Sequence, residues 1–347
     1  MNLNIERIEN ENFDRRKYIR LDKNEGFYKY PKIFYTKVKQ LLNPDFLNCY
    51  PQPYLLKNEL AKYHNVFEDN IYVGSGSDAI IKSAFEIFIK LKDEIIILTP
   101  NYAMYYVYAD LFNAQKIFVN YKSNFKIEIK EILEKITKKT KVIFISNPNS
   151  PVGTLITENE LLKIIRKSKK FNTIVFIDEA YYPFSDFTMI DYIKKYENLI
   201  ISRTFSKAFS LASVRLGYVV ANKKIIELYK KVRPIYEINA FAEQIGILAL
   251  KYFNYNNFIK EFLDVKNYLF SELNKLKLQY IDTKTNFIHI YFPDYQDKLI
   301  TFMKEKNILI KKSGNDFLEK YIRISLSNKK NIKFMLSNLK KFISKKR

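Results

Sequence analysis

Thirteen residues, Arg203-Thr-Phe-Ser-Lys-Ala-Phe-Ser-Leu-Ala-Ser-Val-Arg215, gather hydroxyls, one lysine and two arginines into a single stretch. They follow the apolar run Leu199-Ile-Ile-Ser202, which predicts a short buried strand. Lys207 stands among Ala208, Phe209, Leu211 and Ala212. Apolar neighbours help a lysine shed its proton, and the uncharged amine is the form that condenses with a carbonyl. Thr204, Ser206 and Arg215, a few residues away, are groups that bind phosphate. The plain alternative is a surface lysine in a loop, and lysine is abundant throughout this chain.

Other stretches place chemistry at strand ends. Ile71-Tyr-Val73 predicts a strand, and Gly74-Ser-Gly-Ser-Asp78 opens a helix after it. Strand, glycine-rich turn and helix start together make an anion site, because free N–H groups and the helix dipole face one point. Gly76, Ser77 and Asp78 are its candidate residues, with Ser77 or Asp78 as simple N-caps the alternative. Glu94-Ile-Ile-Ile-Leu-Thr99 is a second buried strand, broken by Pro100-Asn-Tyr-Ala-Met-Tyr105. Tyr102 at that corner can lie over a planar ligand or simply pack. Lys141–Ser146 is a strand ending in the turn Asn147-Pro-Asn-Ser-Pro-Val-Gly153. Thr173-Ile-Val-Phe-Ile-Asp178 ends in an acid, the functional position for an open α/β sheet; a helix cap is the other reading.

The elements that must hold these residues alternate. Helices are predicted near 33–42, 55–63, 76–91, 128–136 and 158–170, with further strands at 115–120 and 216–221. That pattern predicts a mostly parallel sheet flanked by helices. Past residue 235 two long helical patterns (240–253 and 257–275) precede strands at 286–292, 308–311 and 321–325 and a terminal helix. The chain therefore divides into an N-terminal arm (1–30) packing with the smaller unit, a large α/β domain (31–235) and a small α+β domain (236–347).

Composition narrows the function. Length suggests two domains. No apolar run nears the roughly 20 residues that span a bilayer. Met1-Asn-Leu-Asn-Ile-Glu-Arg7 has no signal-peptide core. The single Cys49 excludes an internal disulfide framework and fits a reducing cytoplasm. Only two histidines, His64 and His289, are present, so no Cys/His metal cluster forms and histidine acid–base chemistry has little support. His289, in the alternating strand Asn286-Phe-Ile-His-Ile-Tyr-Phe292, reads as a satisfied structural residue. The formal charge of +22 could mark a nucleic-acid binder. Against that, only ten of the 59 basic residues are arginine, the lysines are spread along every segment, and no block of five or six basic residues occurs, the Lys345-Lys-Arg347 tail being short. Compositional drift is the better account, and the charge favours phosphorylated or acidic small molecules.

A phosphate cradle, an aromatic, an acid and a lysine on successive strand ends are the parts that pyridoxal 5'-phosphate needs. A lysine holds its aldehyde, a carboxylate keeps the pyridine nitrogen protonated, an aromatic stacks on the ring, and a dipole-rich pocket takes the phosphate.

The sequence resembles the fold-type-I pyridoxal-phosphate aminotransferases, and within them the histidinol-phosphate aminotransferase branch. The resemblance covers nearly the whole chain from Leu21. It rests on Leu21-Asp-Lys-Asn-Glu25, Gly74-Ser-Gly-Ser-Asp78, Pro100-Asn-Tyr-Ala-Met-Tyr105, Asn147-Pro-Asn-Ser-Pro-Val-Gly153, Asp178-Glu-Ala-Tyr181, Arg203-Thr-Phe-Ser-Lys207, Arg215-Leu-Gly217 and Tyr321-Ile-Arg-Ile-Ser325. It implies that Lys207 holds the cofactor and later shuttles the substrate proton. Asp178 pairs with the pyridine nitrogen, Tyr181 bonds the ring hydroxyl, and Tyr102 stacks on the ring. The backbone around Gly76, Ser77 and Asp78, with Thr204, Ser206 and Arg215, holds the phosphate. Tyr50 reaches a neighbouring subunit's site, implying a homodimer. Asn24, Lys311 and Arg323 fall to the substrate, Arg323 gripping its acidic end as a bidentate fork.

Three departures from the family pattern stand out. Ser150 occupies the place of the usual asparagine before Pro-Thr-Gly, and Asn149 is the residue placed to compensate. Lys311 stands where the branch often has arginine, so it meets phosphate as a point charge. The arm lacks the usual Pro-Tyr segment, Tyr18 being near but not equivalent.

These readings predict a cytoplasmic, homodimeric aminotransferase. It would exchange an amino group between a small phosphorylated amine or ketone, of the histidinol-phosphate type or another amino-alcohol phosphate, and glutamate/2-oxoglutarate. A phosphoserine or phosphothreonine decarboxylase on the same scaffold is the alternative. A non-catalytic binder is disfavoured by Lys207, Asp178 and Arg215 occurring together, and DNA binding by the lack of a basic cluster.

Overall fold

Four central strands have cores without exposed surface: Ile95–Leu98, Val142–Ile145, Val175–Ile177 and Leu199–Ile201. Such continuous branched-apolar runs belong to strands covered on both faces. The computed structural model of the chain describes residues 12–185, 187–314 and 316–344. The signal-peptide reading of the first residues and the Lys345–Arg347 tail lie outside them.

The elements run β1 (Ile19–Arg20), α1 (Lys32–Gln40), α2 (Pro44–Asn48), α3 (Tyr54–His64), β2 (Ile71–Gly74), α4 (Gly76–Phe88), β3 (Glu94–Thr99), α5 (Ala103–Leu111), β4 (Gln115–Asn120), α6 (Ile129–Lys135), β5 (Thr140–Ser146), α7 (Glu158–Lys169), β6 (Ile174–Asp178), β7 (Leu199–Thr204), β8 (Gly217–Ala221) and α8 (Lys223–Val232). After them come α9 (Ala240–Tyr252), α10 (Tyr255–Lys275), β9 (Tyr280–Ile281), β10 (Phe287–Tyr291), α11 (Gln296–Glu305), β11 (Ile308–Leu309), β12 (Lys311–Lys312), β13 (Tyr321–Ser325) and α12 (Lys329–Ser344).

Seven strands form one sheet in the order β2-β8-β7-β6-β5-β3-β4, with β8 alone reversed. Alternate side chains divide between two cores. Ile96, Leu98, Ile143, Ile145, Val175 and Ile177 enter the one that α3, α7 and α9 cover. Ile95, Ile97, Val142, Phe144 and Phe176 enter the one closed by α4, α5 and α8. The strand repeat of two decides which core each residue joins.

A third core holds Phe258, Phe262, Val265, Leu269 and Leu273 of α10, a helical stripe, against the antiparallel sheet β12-β13-β10-β9 and α12. The arm joins this unit: β1 pairs in parallel with β11, and Leu21 is fully buried in the third core.

The structure departs from the sequence reading at three places. α8 has no counterpart in the sequence reading; Asn222 caps it and Ile225, Ile226 and Tyr229 bury its stripe. The strand predicted at 308–311 is two strands, because Ile308 and Leu309 pair with the arm whereas Lys311 and Lys312 pair with β13. α9, assigned to the small domain, packs on the large one: Ala242 and Ala249 join the first core, and a Cβ on Gly246 would press on Leu216 and Leu56. We place the division between α9 and α10. Among the described residues no helix is long and apolar enough to cross a membrane.

Candidate active site

The C-terminal ends of β5, β6 and β7 converge with the start of α4 on a cleft of about 250 Å³. Ser146, Asp178 and Thr204 close these strands, and Tyr102 stands just beyond β3. The site therefore opens at the strand ends, beside the point where β4 and β5 leave β3 in opposite directions.

Asp178 is the buried charge of the cleft. Its Oδ1 accepts from Ser202 Oγ (3.0 Å) and the Ala180 N–H (3.0 Å), and Oδ2 from Tyr105 Oη (3.3 Å). Burial pushes its carboxyl up to about 6, against the pull of these three donors. Every one of those donors is neutral.

Lys207 Nζ donates to the Lys23 carbonyl (3.2 Å) and lies 5.7 Å from the centre of the Tyr181 ring. Tyr181 is buried; its hydroxyl accepts from Asn24 Nδ2 (2.8 Å) and donates to Ser150 Oγ at 3.4 Å.

The anion cradle sits at the other end. Gly76 has φ +82°, and a Cβ there would lie 2.7 Å from Arg215 Nη2. Thr204 Oγ1 bonds Ser206 Oγ (3.0 Å), to which Arg215 Nη1 also reaches (3.4 Å). Asp78 is tied by Tyr102 Oη (2.7 Å) and lies 3.7 Å from Arg215 Nη2. Burial and the Asp78 carboxylate both raise the Tyr102 phenol.

A family model for class I and II aminotransferases matches residues 17–339. The chain belongs to that family. A histidinol-phosphate aminotransferase of Thermoanaerobacter sp. (strain X514) is 34% identical over 329 residues, 93% of each chain. One from Clostridium novyi (strain NT) is 35% identical over 320 residues, covering 90% of this chain and 88% of that protein. The crystal structure of histidinol-phosphate aminotransferase from Sinorhizobium meliloti in complex with pyridoxal 5'-phosphate matches with TM-score 0.84 over 95% of this chain and 92% of that one. At 18% identity it speaks for the fold alone.

The aminotransferase takes pyridoxal 5'-phosphate as its cofactor, and the cleft fits it. Asp178 is a buried acid supplied only with neutral donors, a place for a positive ring nitrogen. Gly217 completes the cradle: a Cβ there would come within 2.8 Å of the Gly76 carbonyl carbon and the Ser77 nitrogen, closing the approach to the α4 N-terminus.

Of the residues predicted from the sequence, Ser77, Asp78, Tyr102, Ser150, Asp178, Tyr181, Thr204, Ser206, Lys207 and Arg215 line the cleft together. Gly76 stands behind them. Asn149, unlike Ser150, does not line the cleft: it is fully buried, its Oδ1 accepts from the Val152 N–H (2.9 Å), and its Nδ2 donates to the Pro100 carbonyl (3.3 Å). Its amide closes the turn.

Asn24 is likewise buried behind the lining, held by Ser325 and Asn286. Arg323 is buried beside it, donating through Nη2 to the Asp22 carbonyl (2.8 Å) while Nε has no partner. Lys311 is exposed and pairs in register with Arg323. Tyr50 is 69% exposed and stacks on Tyr236 with ring centres 4.1 Å apart, outside its own chain's cleft. His289 is a satisfied core residue, as read from its strand: its nitrogens meet Ser313 Oγ and the Pro151 carbonyl, and burial lowers it to about 4.

Sequence reasoning missed Ser146, Ser202, Tyr105, Lys23 and Glu25. Ser202 meets Asp178 because the two are register partners across β6 and β7. Lys23 and Glu25 reach the cleft through the arm. Their signal was the Leu21–Glu25 motif, whose path the sequence does not show.

Proposed function

We propose that this aminotransferase exchanges an amino group between histidinol phosphate and 2-oxoglutarate, working as a cytoplasmic homodimer. The observation that carries the reading is the identity of 34–35% to histidinol-phosphate aminotransferases over about nine-tenths of the chain. Bound pyridoxal 5'-phosphate supplies an electron sink for the pair left on the substrate carbon.

The chain's own residues do the rest. Asp178 holds the ring nitrogen's proton, which is the role that a buried acid with only neutral partners can fill. Tyr181 donates to the ring hydroxyl, and Tyr102 covers the ring. The N–H groups at the start of α4, with Thr204, Ser206 and Arg215, hold the cofactor phosphate. Asp78 contributes its backbone, since its carboxylate is tethered to Tyr102. Lys207 moves the proton between substrate carbon and cofactor; its amine rests on a single backbone carbonyl, a contact easily exchanged. Arg323, with an unpaired buried Nε, and the exposed Lys311 beside it are the cations for the substrate's acidic end. Tyr50 completes the neighbouring subunit's site.

The test is an absorbance spectrum of the pyridoxal-loaded protein before and after glutamate, then kcat/KM for the ketone partner of histidinol phosphate against simpler ketone phosphates. The proposal expects the visible band to fade with glutamate and the imidazole ketone to be preferred. A band unmoved by glutamate, with carbon dioxide released from phosphoserine or phosphothreonine, would replace it by the decarboxylase.

A further inference from the structure

Asn24 sits in a left-handed turn, φ +55°, at the end of the arm. Every polar atom it has is engaged. Its N–H donates to Ser325 Oγ (2.9 Å), Ser325 Oγ donates to its Oδ1 (3.0 Å), and its carbonyl accepts from Asn286 Nδ2 (3.0 Å). Ser325 Oγ thus accepts from the Asn24 backbone N–H and gives its own proton to Oδ1. In this arrangement Nδ2 faces Tyr181 Oη, 2.8 Å away.

An amide nitrogen only donates. Tyr181 is therefore the acceptor in this contact, and its own proton must point elsewhere. The acceptor within its reach is Ser150 Oγ at 3.4 Å, at the limit of hydrogen-bond range. Ser150 and Tyr181 both line the cleft. Ser150 also stands where the family has asparagine, and Asn149 is committed to its turn.

We propose that Asn24 is a positioning residue: it makes Tyr181 a one-way donor into the cleft, toward the ring oxygen of the bound cofactor, and so offsets the serine at position 150. The arm thereby builds part of the cofactor site from the small unit's side, through Ser325 and Asn286. The inference rests on the reading that Tyr181 faces the ring hydroxyl. A donor into the Tyr181 oxygen strengthens the donor leaving it. That outgoing hydrogen bond favours the ionised ring oxygen and lowers the pH at which the bound cofactor changes colour.

The experiment is a pH titration of the visible spectrum of the loaded enzyme in Asn24→Gly, Asn24→Asp, Tyr181→Phe and the Asn24→Gly/Tyr181→Phe double variant. Glycine accepts the left-handed backbone and keeps its bonds to Ser325 and Asn286, so it removes the amide alone. The midpoint should rise by about 0.5 unit in Asn24→Gly and about 1 unit in Tyr181→Phe. The double variant should match Tyr181→Phe, because a relay has nothing left to transmit. Asn24→Asp, isosteric but able only to accept, should draw the Tyr181 proton away from the cleft and match Tyr181→Phe as well.

Wild-type midpoints in both Asn24 variants, with Tyr181→Phe shifted, would overturn the relay and leave the Tyr181 reading standing. A double variant shifted by the sum would overturn it too. An unshifted Tyr181→Phe would remove both readings. Circular dichroism monitors folding, and if the glycine variant fails to fold, Asn24→Asp against Tyr181→Phe decides alone.

Discussion

Asp178 carries a penalty of burial that a positive ring nitrogen would relieve. Its carboxyl titrates near 6 in the folded protein, against an ordinary 3.8, because burial disfavours the charge. A folded value above the unfolded one means that this group favours folding most below pH 4, and that its contribution is lost as pH rises through 6. The shift corresponds to on the order of 3 kcal/mol. Denaturant melts of the cofactor-free protein should therefore show Asp178→Asn gaining stability relative to the parent between pH 4 and pH 8, while its affinity for pyridoxal phosphate and its turnover fall. A constant difference across that range would assign Asp178 to capping. Lys207→Ala should abolish turnover with a thermal midpoint near the parent's, since its amine makes one hydrogen bond to a backbone carbonyl. Activity within tenfold of the parent would refute its role.

The element that sets the cradle is the meeting of β8 with α4. Gly217 pairs with Gly74 on one side and Thr204 on the other, and it faces the backbone of Gly76 and Ser77. The contact is with backbone, so no side chain can swing away to admit a methyl group. Gly217→Ala should cost about 2 kcal/mol of stability, as overpacking commonly does. It should also weaken pyridoxal-phosphate binding more than Ala substitution on the outer face of α8 does, read by fluorescence titration. Equal effects at the two positions would mean that the α4 N-terminus does not depend on this approach. The strands themselves were legible, because their buried runs of isoleucine and valine have no other stable use. α8 was not, since its capping asparagine and short amphipathic stripe resemble many lysine-rich stretches of this chain.

At the scale of the molecule, Leu42, Leu47, Tyr50, Tyr54 and Ile235, in or beside α2, at the start of α3 and in the segment before α9, are all more than half exposed. Large exposed apolar side chains of this kind suit a second copy. If Tyr50 serves the partner's cleft, inactive Tyr50→Ala and Lys207→Ala subunits should complement when refolded together. Random pairing gives mixed dimers with one intact site, so activity should recover to roughly a quarter of the parent's. No recovery, with mixed dimers demonstrated, would place Tyr50 in its own chain's structure only.

The sequence alone determined the alternating architecture and the family, because those reside in local runs: a strand, a turn, a helix start. Lys207, Asp178, Thr204 and Arg215, grouped from the sequence, line one cleft since each sits beside the strand end that positions it. What the tertiary structure decided is which polar groups are already occupied. Asn149 and Asn24 looked like ligand contacts; Val152 and Pro100 claim the first, and Ser325, Asn286 and Tyr181 the second. Ser202 reached Asp178 only through register, and Asn24 reached Tyr181 across 157 residues of chain. Hydrogen-bond partners so distant are set by how strands pair and how the arm returns to the sheet, and no local pattern of residue types encodes that.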